Sequence, residues 1–545
     1  MPIARTRLAL LVAAIVLAVA GVTVIATHQP AAPPRAAART VATPRSSAPA
    51  GPATELAADG VRARWVIAEN RKPGSPGWVI PAGHLGGITG FADHVDATVN
   101  QQVKLYVSTA APTFHLEAYR VGYYQGTGAR LVWRSPDVTG HTQPACPVTP
   151  GVNMVACDNW TLSMNLPITR DFVPGDYLLK LVGSGDQQSY VPLTVSDPTS
   201  HGTYLVKNDV FTWQAWNPYG GYDYYVGQGA CPRNVYPLCS RARIVSYDRP
   251  YGDGEGTGDF LSLEAPLVRL MEQDGLDVSY TTDIAVAEHP DMPAGHRVLL
   301  SLGHDECWSL PERQAATTAE QHGMNMAFFG ASAVLRHVRS QASPLGADRE
   351  LVDYRDSTAD PLNGKGDPRA VTGNTWSVPP ANWPESQFVG ESYNGFLEPG
   401  VLGNLTVTDG AAWLFARTGL HTGSVLPNVI GSDVDSLEPP GGHPDDVRIL
   451  AHSALPAGKA QAASRNGAVF YSDMTYYSDP AGGAGVWDSG TNNWIPALVP
   501  GNGETPAAAA IVRTITENLF HLMGQGPAGR IQPSAGNLAQ VYGHP

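Results

Sequence analysis

The sequence predicts an α+β multidomain protein: an N-terminal β-sandwich followed by an α/β domain built as a three-layer sandwich. Three observations lead there. A chain of 545 residues exceeds what one hydrophobic core usually spans, so two or three domains are expected. Between about 60 and 198, short β-branched and aromatic runs are divided by Gly, Pro, Asn and Asp, and helical periodicity is missing. After about 200, apolar strand-like runs alternate with helical stretches, the pattern of a mostly parallel sheet.

Taken in order, residues 1–27 carry Arg5 and Arg7 ahead of an unbroken apolar or small run from Leu8 to Ala26, with a cleavage-like Ala18-Val19-Ala20. This is a signal peptide or, since nineteen residues nearly span a bilayer, an uncleaved anchor. No Cys follows the run to take a lipid. Residues 28–59 form a Pro/Ala-rich linker without apolar periodicity. The sandwich, 60–198, contains the runs VKLYVST, FHLEAYRVGYY, ARLVWRS, YLLKLVG and YVPLTVS, and Asp197-Pro198 marks its end. The α/β domain, 199–530, opens with the strand TYLVKN. FLSLEAPLVRLMEQDG then reads as a helix closed by Gly275, LDVSYTTD and HRVLLSLG as strands, LPERQAATTAEQHG as a helix and MNMAFFGAS as a buried strand. An irregular Gly/Pro-rich stretch covers about 340–445, GAVFYSDM is a strand, the segment near ETPAAAAIVRTITENLFHLM is a helix, and 531–545 is a tail.

Composition excludes some functions. The formal charge is −14, and the first 54 residues hold five Arg and no acid, so the rest is more acidic still. That argues against a nucleic-acid partner. Of five cysteines, Cys146 with Cys157 and Cys231 with Cys239 form two sequence-local pairs suited to an oxidising compartment, leaving Cys307 odd. The chain is therefore expected to be secreted or anchored at the cell surface, touching membrane only through its N-terminal segment.

Chemistry concentrates in Gly303-His304-Asp305-Glu306-Cys307-Trp308-Ser309, directly after the strand RVLLSL, where open α/β sheets bind ligands. In extended chain His304 and Glu306 face one way and Asp305 and Cys307 the other, so imidazole and carboxylate share a pocket as metal ligands or as an acid/base pair. The plainer reading makes this a polar strand end with Asp305 capping the next helix. A nucleophile elbow needs small neighbours, and Cys307 is flanked by Glu306 and Trp308. The zinc-deaminase H-x-E signature lacks its C-x-x-C. An aromatic stretch from Trp213 to Tyr225 suits a binding wall or simple packing. Tyr247-Asp248-Arg249-Pro250 reads as an ion-paired turn, and Gly431-Ser432-Asp433-Val434-Asp435 as either a pocket wall or an Asx-rich turn.

With these blocks assembled, the chain from roughly 90 to 525 resembles the large (beta) subunit of N,N-dimethylformamidase and its relatives. The blocks are AYRVGYYQGTGARLV, N-x-x-G-G-x-x-x-Y at 217–225, SYDRPY, GHDECWS, FFGASAVLRHVR, GSDVD and NGAVFYSDM, in the family's order. The resemblance implies a β-sandwich on a glutamine-amidotransferase-like α/β domain, and hydrolysis of a formamide C–N bond at an Fe(III) held by two tyrosinates and one glutamate. By position Glu306 matches the carboxylate ligand and Tyr225 one tyrosine. The second tyrosine is expected just upstream, where the chain reads Trp213 and Trp216; indole cannot ligate iron, and Tyr219, Tyr222 or Tyr224 are the alternatives. The family's aromatic after the motif glutamate is Cys307, its Gly-Asn is Ala331-Ser332, and its second acidic residue is the shorter Asp433.

Two functions follow as expectations. One is an exported hydrolase of a small-molecule amide, with a metal on Tyr225 and Glu306, with His304, Glu306 and Asp433 as the catalytic set, and with a homo-oligomeric or small-subunit assembly. The other is a non-catalytic envelope protein with a degenerate site.

Overall fold

A computed structural model describes residues 53–228, 240–437, 442–455, 459–462, 470–501 and 503–543. The fold is mixed α+β, rich in sheets of different sizes. In the N-terminal region a three-stranded antiparallel sheet orders Met164–Pro167, Gln102–Thr109 and Ile88–Ala92. A larger sheet runs through Asp96–Ala97, Gln188–Val195, Gly175–Gly183, Thr113–Val121 and Ala129–Arg134. Alternation explains the shared core. Along Gln102–Thr109 the side chains of Val103, Leu105 and Val107 are buried while Gln102 and Lys104 are exposed. These valines and leucines join Leu116, Ala118, Leu179 and Leu193 of the larger sheet in one hydrophobic cluster.

The sheet that carries the site has seven strands in the order Val278–Thr282, Tyr204–Asn208, Val298–Gly303, Asn325–Gly330, Gly485–Asp488, Tyr471–Ser478 and Arg448–Ala454. The first five run parallel, Tyr471–Ser478 runs against them, and Arg448–Ala454, antiparallel to Tyr471–Ser478, returns to their direction. Each central strand is buried along its whole length, which is why it reads as a continuous apolar run. Helix Ala265–Asp274 ends at Gly275 in the left-handed region, and helix Leu310–Gln321 starts in a capping box between Ser309 and Glu312. Asp305 therefore does not cap that helix. Helix Pro506–Met523 is capped by Thr505 with proline in its first turn.

Two adjacent strand ends come unusually close. Gly303 pairs with Gly330, and a Cβ on Gly330 would lie 1.5 Å from the Gly303 carbonyl oxygen. Gly303 itself has φ +54°, and a side chain there would strike Leu263. Only glycine permits this approach, after which the strand ends and His304–Glu306 leads to Cys307–Ser309, which pairs with Arg336–Ser343 instead.

Two regions depart from expectation. The N-terminal region holds a helix, Arg64–Asn70. The stretch of about 340–445 is more ordered than its composition suggests, supplying the strand pairs Arg336–Ser343 with Gly346–Val352, Ser392–Leu397 with Asp433–Ser436, and Leu402–Thr406 with Val425–Gly431. One hydrophobic cluster includes Tyr119, Leu178 and Tyr190 together with Tyr204, Val206 and Leu300, so burial is continuous across residue 198. Arg120 and Glu272, both fully buried, pair at 2.6 Å across the same junction. Near the C-terminus Asn537 bonds the Ile449 backbone on both sides, which docks this end on the edge strand.

Candidate active site

His304 and Glu306 follow the strand Val298–Gly303, Asp433 follows Val425–Gly431, and Tyr225 ends the aromatic loop after helix Val210–Trp216. The structure brings all four together. His304 Nε2 lies 3.7 Å from Glu306 Oε2 and 3.6 Å from Asp433 Oδ2, and it has no hydrogen-bond partner. Asp259 approaches the other ring nitrogen at 3.9 Å. Glu306, 3% exposed, is held on both oxygens: Oε2 accepts from the Tyr225 phenol and from the Trp216 indole at 3.1 Å, and Oε1 from Arg336 at 3.1 Å. Trp216 stacks on Tyr225 with ring centres 3.6 Å apart, and the Arg355 guanidinium lies 4.2 Å from the Tyr225 ring centre.

Burial and charge set the protonation states. Burial alone would raise the Glu306 carboxyl, but Arg336, His304 and Arg355 together hold it below its ordinary range. Burial opposes charge on His304 too, yet Asp433, Glu306 and Asp259 push its pKa up. Asp433 is raised, first by burial and then by Glu306, against the pull of His304. Burial and the Glu306 charge keep the Tyr225 phenol neutral. The site therefore holds one firmly ionised carboxylate, one less acidic carboxyl and an imidazole inclined to carry a proton.

Tyr225, Glu306 and Asp433 floor a cavity of about 570 Å³ lined also by Tyr393, Phe396, Leu397, Val401 and Leu402, and His304 lies behind them between the two carboxylates. Ser332 holds Asp433 from behind, donating its hydroxyl to Asp433 at 3.0 Å while its backbone N–H donates to Asp435 at 2.8 Å. Ser332 and Ser432 both sit at φ +55°, so strained turns position Asp433.

The iron centre implied by the resemblance lacks its second tyrosine at the expected place. Trp213 points away and donates to Glu264, while Trp216 stands beside Glu306 and presents an N–H donor to its Oε2. Of the alternatives, Tyr224 donates its phenol to the Leu351 carbonyl, Tyr219 lines a different cavity beside Gly252–Gly256, and neither they nor Tyr222 line the cavity that holds Glu306. With Arg336 and Arg355 adjacent, the donor set suits a carboxylate caged by hydrogen bonds rather than a trivalent cation.

Below the site lies a charge cluster that sequence reasoning missed. Lys207, fully buried, contacts Asp283, with Asp305 at 2.8 Å, Glu312 at 3.1 Å and Asp209 at 3.6 Å. Asp209, Asp283 and Asp305 each offer one oxygen within 4.8 Å of the others, and the Lys207 ammonium already supplies their cation. Asp248 pairs with Arg349 at 2.8 Å instead of with Arg249, whose donors go to Gln214, Asn217, Tyr219 and Tyr222 and pin the aromatic loop. Cys146 and Cys157 form a disulfide, Cys307 is a buried thiol, and Cys231 and Cys239 lie outside the described residues.

A family model described as N,N-dimethylformamidase beta subunit-like, C-terminal, matches residues 115–506. The chain belongs to this family. No curated protein matches it. The matched span contains every residue lining the cavity described above, from Trp216 to Asn493. Arg336 and Ser332 lie inside the FFGASAVLRHVR block, so that block signalled them, whereas Arg355 and Tyr393 carry no motif.

Proposed function

We propose that this dimethylformamidase-like chain is an exported hydrolase of a linear amide C–N bond that works through His304 and Asp433 without a tyrosinate iron centre. The observation that carries this reading is the buried, unpartnered His304 Nε2 between two carboxylates that line the cavity. Family membership supports the reaction class. A donor without an acceptor, buried beside a cavity, is matched by the carbonyl oxygen of a bound amide. Asp433, less acidic than an ordinary carboxyl, takes a proton from water as the water oxygen bonds to the carbonyl carbon. His304 donates to the oxyanion. When the C–N bond breaks, the proton held by Asp433 passes to the leaving nitrogen, giving a carboxylic acid and an amine. Glu306 keeps His304 cationic and is itself held by Tyr225, Trp216 and Arg336.

Export is supported by the Arg-flanked apolar N-terminus and the Cys146–Cys157 bridge. The two N-terminal sheets, with their common core, support a β-sandwich, and the seven-stranded sheet supports an amidotransferase-like layer.

A second reading rests on Trp216: with an indole where a second phenol oxygen was expected, the pocket binds an amide without turning it over. Amine release from a panel of N-substituted formamides and acetamides, by protein freed of metal with a chelator, decides between them. Release that falls by about 100-fold or more in Asp433→Asn and His304→Ala supports hydrolysis. Binding without release, unchanged by those variants, supports the second reading.

A further inference from the structure

We propose that the cavity takes an uncharged amide bearing an extended apolar arm, alkyl or aryl, which lies along the wall formed by Tyr393, Phe396, Leu397, Val401 and Leu402; this rests on the hydrolase reading of the same pocket. Size is the first argument. A cavity of about 570 Å³ falls in the range that encloses drug-sized ligands, and a small formamide fills only a corner of it. The division of chemistry is the second. Glu306, Arg336 and Asp433 cluster at one end, while the segment from Phe396 to Leu402 supplies the apolar side. Phe396 is 37% exposed, an aromatic surface left in contact with water beside the polar floor.

Charge completes the argument. Two cationic side chains stand at the polar end: His304, which the proposed mechanism gives to the amide carbonyl, and Arg336, which is engaged by Glu306 and by the Asn374 side chain at 2.8 Å. Glu398 at the apolar side pairs with Lys459 at 3.4 Å. Among the described residues of the apolar side, Phe396 to Leu402, no cation is present to receive a carboxylate on the arm, and at the polar end Glu306 and Asp433 repel one. The arm is therefore neutral.

The test uses a homologous series of N-alkylformamides from methyl to octyl, with the matching alkanoates as charged controls. Calorimetry on the full chain reads binding, and amine release is read separately. Affinity should rise by about fourfold per added methylene until the cavity is filled. The alkanoates should bind more weakly than the formamides. Phe396→Ala, at a half-exposed position, should flatten the chain-length dependence, with Phe396→Leu restoring most of it. Affinity independent of chain length with amine still released from short members overturns the arm and leaves the hydrolase reading standing. Rising affinity with no release from any member supports the ligand class and sinks the hydrolase reading. A slope unchanged in Phe396→Ala, or alkanoates that bind best, overturns the proposal.

Discussion

The indole of Trp216 donates to Glu306 Oε2 over 3.1 Å, on the same oxygen that accepts the Tyr225 phenol. Two donors on one oxygen leave little room for a metal bond, and Arg336 occupies the other oxygen. Hydrogen bonds to an ionised group contribute about 1.5–3 kcal/mol each. Trp216→Phe keeps the stacking surface and removes the donor, so it should cost stability in that range by urea unfolding. Loss of less than about 0.5 kcal/mol would mean the bond is not made in solution.

The same geometry forecasts the metal response. Wild-type protein titrated with ferric ion should develop no tyrosinate-to-iron absorption in the visible. A stoichiometric band that disappears in Tyr225→Phe would overturn the caged-carboxylate description.

The alternation that separates His304 and Glu306 from Asp305 was legible because extended chain turns successive side chains to opposite sides. That His304 and Glu306 share one side follows from that period alone, whereas the contact of Asp305 with Lys207 on the other side carried no sequence signal. The order of strands and helices after 200 was legible for a related reason, since fully buried strands are continuous apolar runs. The short helix Arg64–Asn70 was not. Seven residues lie below the length at which local propensity sustains a helix, and its support is tertiary: Glu69 pairs with Arg130, and Asn70 accepts from the Tyr123 backbone. Arg355 and Tyr393 reach the cavity and Tyr225 from segments far away in sequence, and no spacing rule links them to Glu306.

Protonation of His304 gives a pH-dependent stability. Its folded pKa is raised, because Asp433, Glu306 and Asp259 outweigh burial, so the folded chain holds the proton more tightly than the unfolded chain. The stabilisation is fully present below the unfolded value of about 6.5 and is lost as pH rises through the folded value. His304→Gln removes it. The stability gap between wild type and variant should be widest below about pH 6 and narrow as the solution becomes alkaline. A gap that does not change with pH would show that the imidazole is not charged in the fold.

Lys207 offers a sharper contrast between neighbours. Its ammonium faces four buried carboxyl groups, and removing one partner from a buried ion cluster typically costs about 3–5 kcal/mol. Lys207→Met should lose that much or fail to fold. Asp209 differs, since burial and then Asp305 and Glu264 push its carboxyl well up, and neither of its oxygens accepts a hydrogen bond. Asp209 therefore depends least on its charge, and Asp209→Asn, which keeps the shape of the side chain, should lie within about 1 kcal/mol of wild type at neutral pH. Equal losses in the two variants would mean that Asp209 is ionised and that Lys207 is shared among more charges than the geometry assigns.

The thiols can be read by mass spectrometry without any substrate. Cys146 and Cys157 close a loop of sequence separation 11, and Cys157 is fully buried against Phe91, Tyr106 and Trp160. Replacing both with serine should cost about 2–3 kcal/mol, the scale expected for a loop of this length. Cys307 behaves oppositely. Its side chain is fully buried, and burial followed by the Glu306 charge raises its pKa well above that of a free thiol, so it lacks both access and thiolate character. Native protein exposed to iodoacetamide should leave Cys307 unlabelled, and labelling should appear only on unfolding. Rapid native labelling of Cys307 would require the segment after Glu306 to open, and with it the cavity floor that places His304 between its two carboxylates.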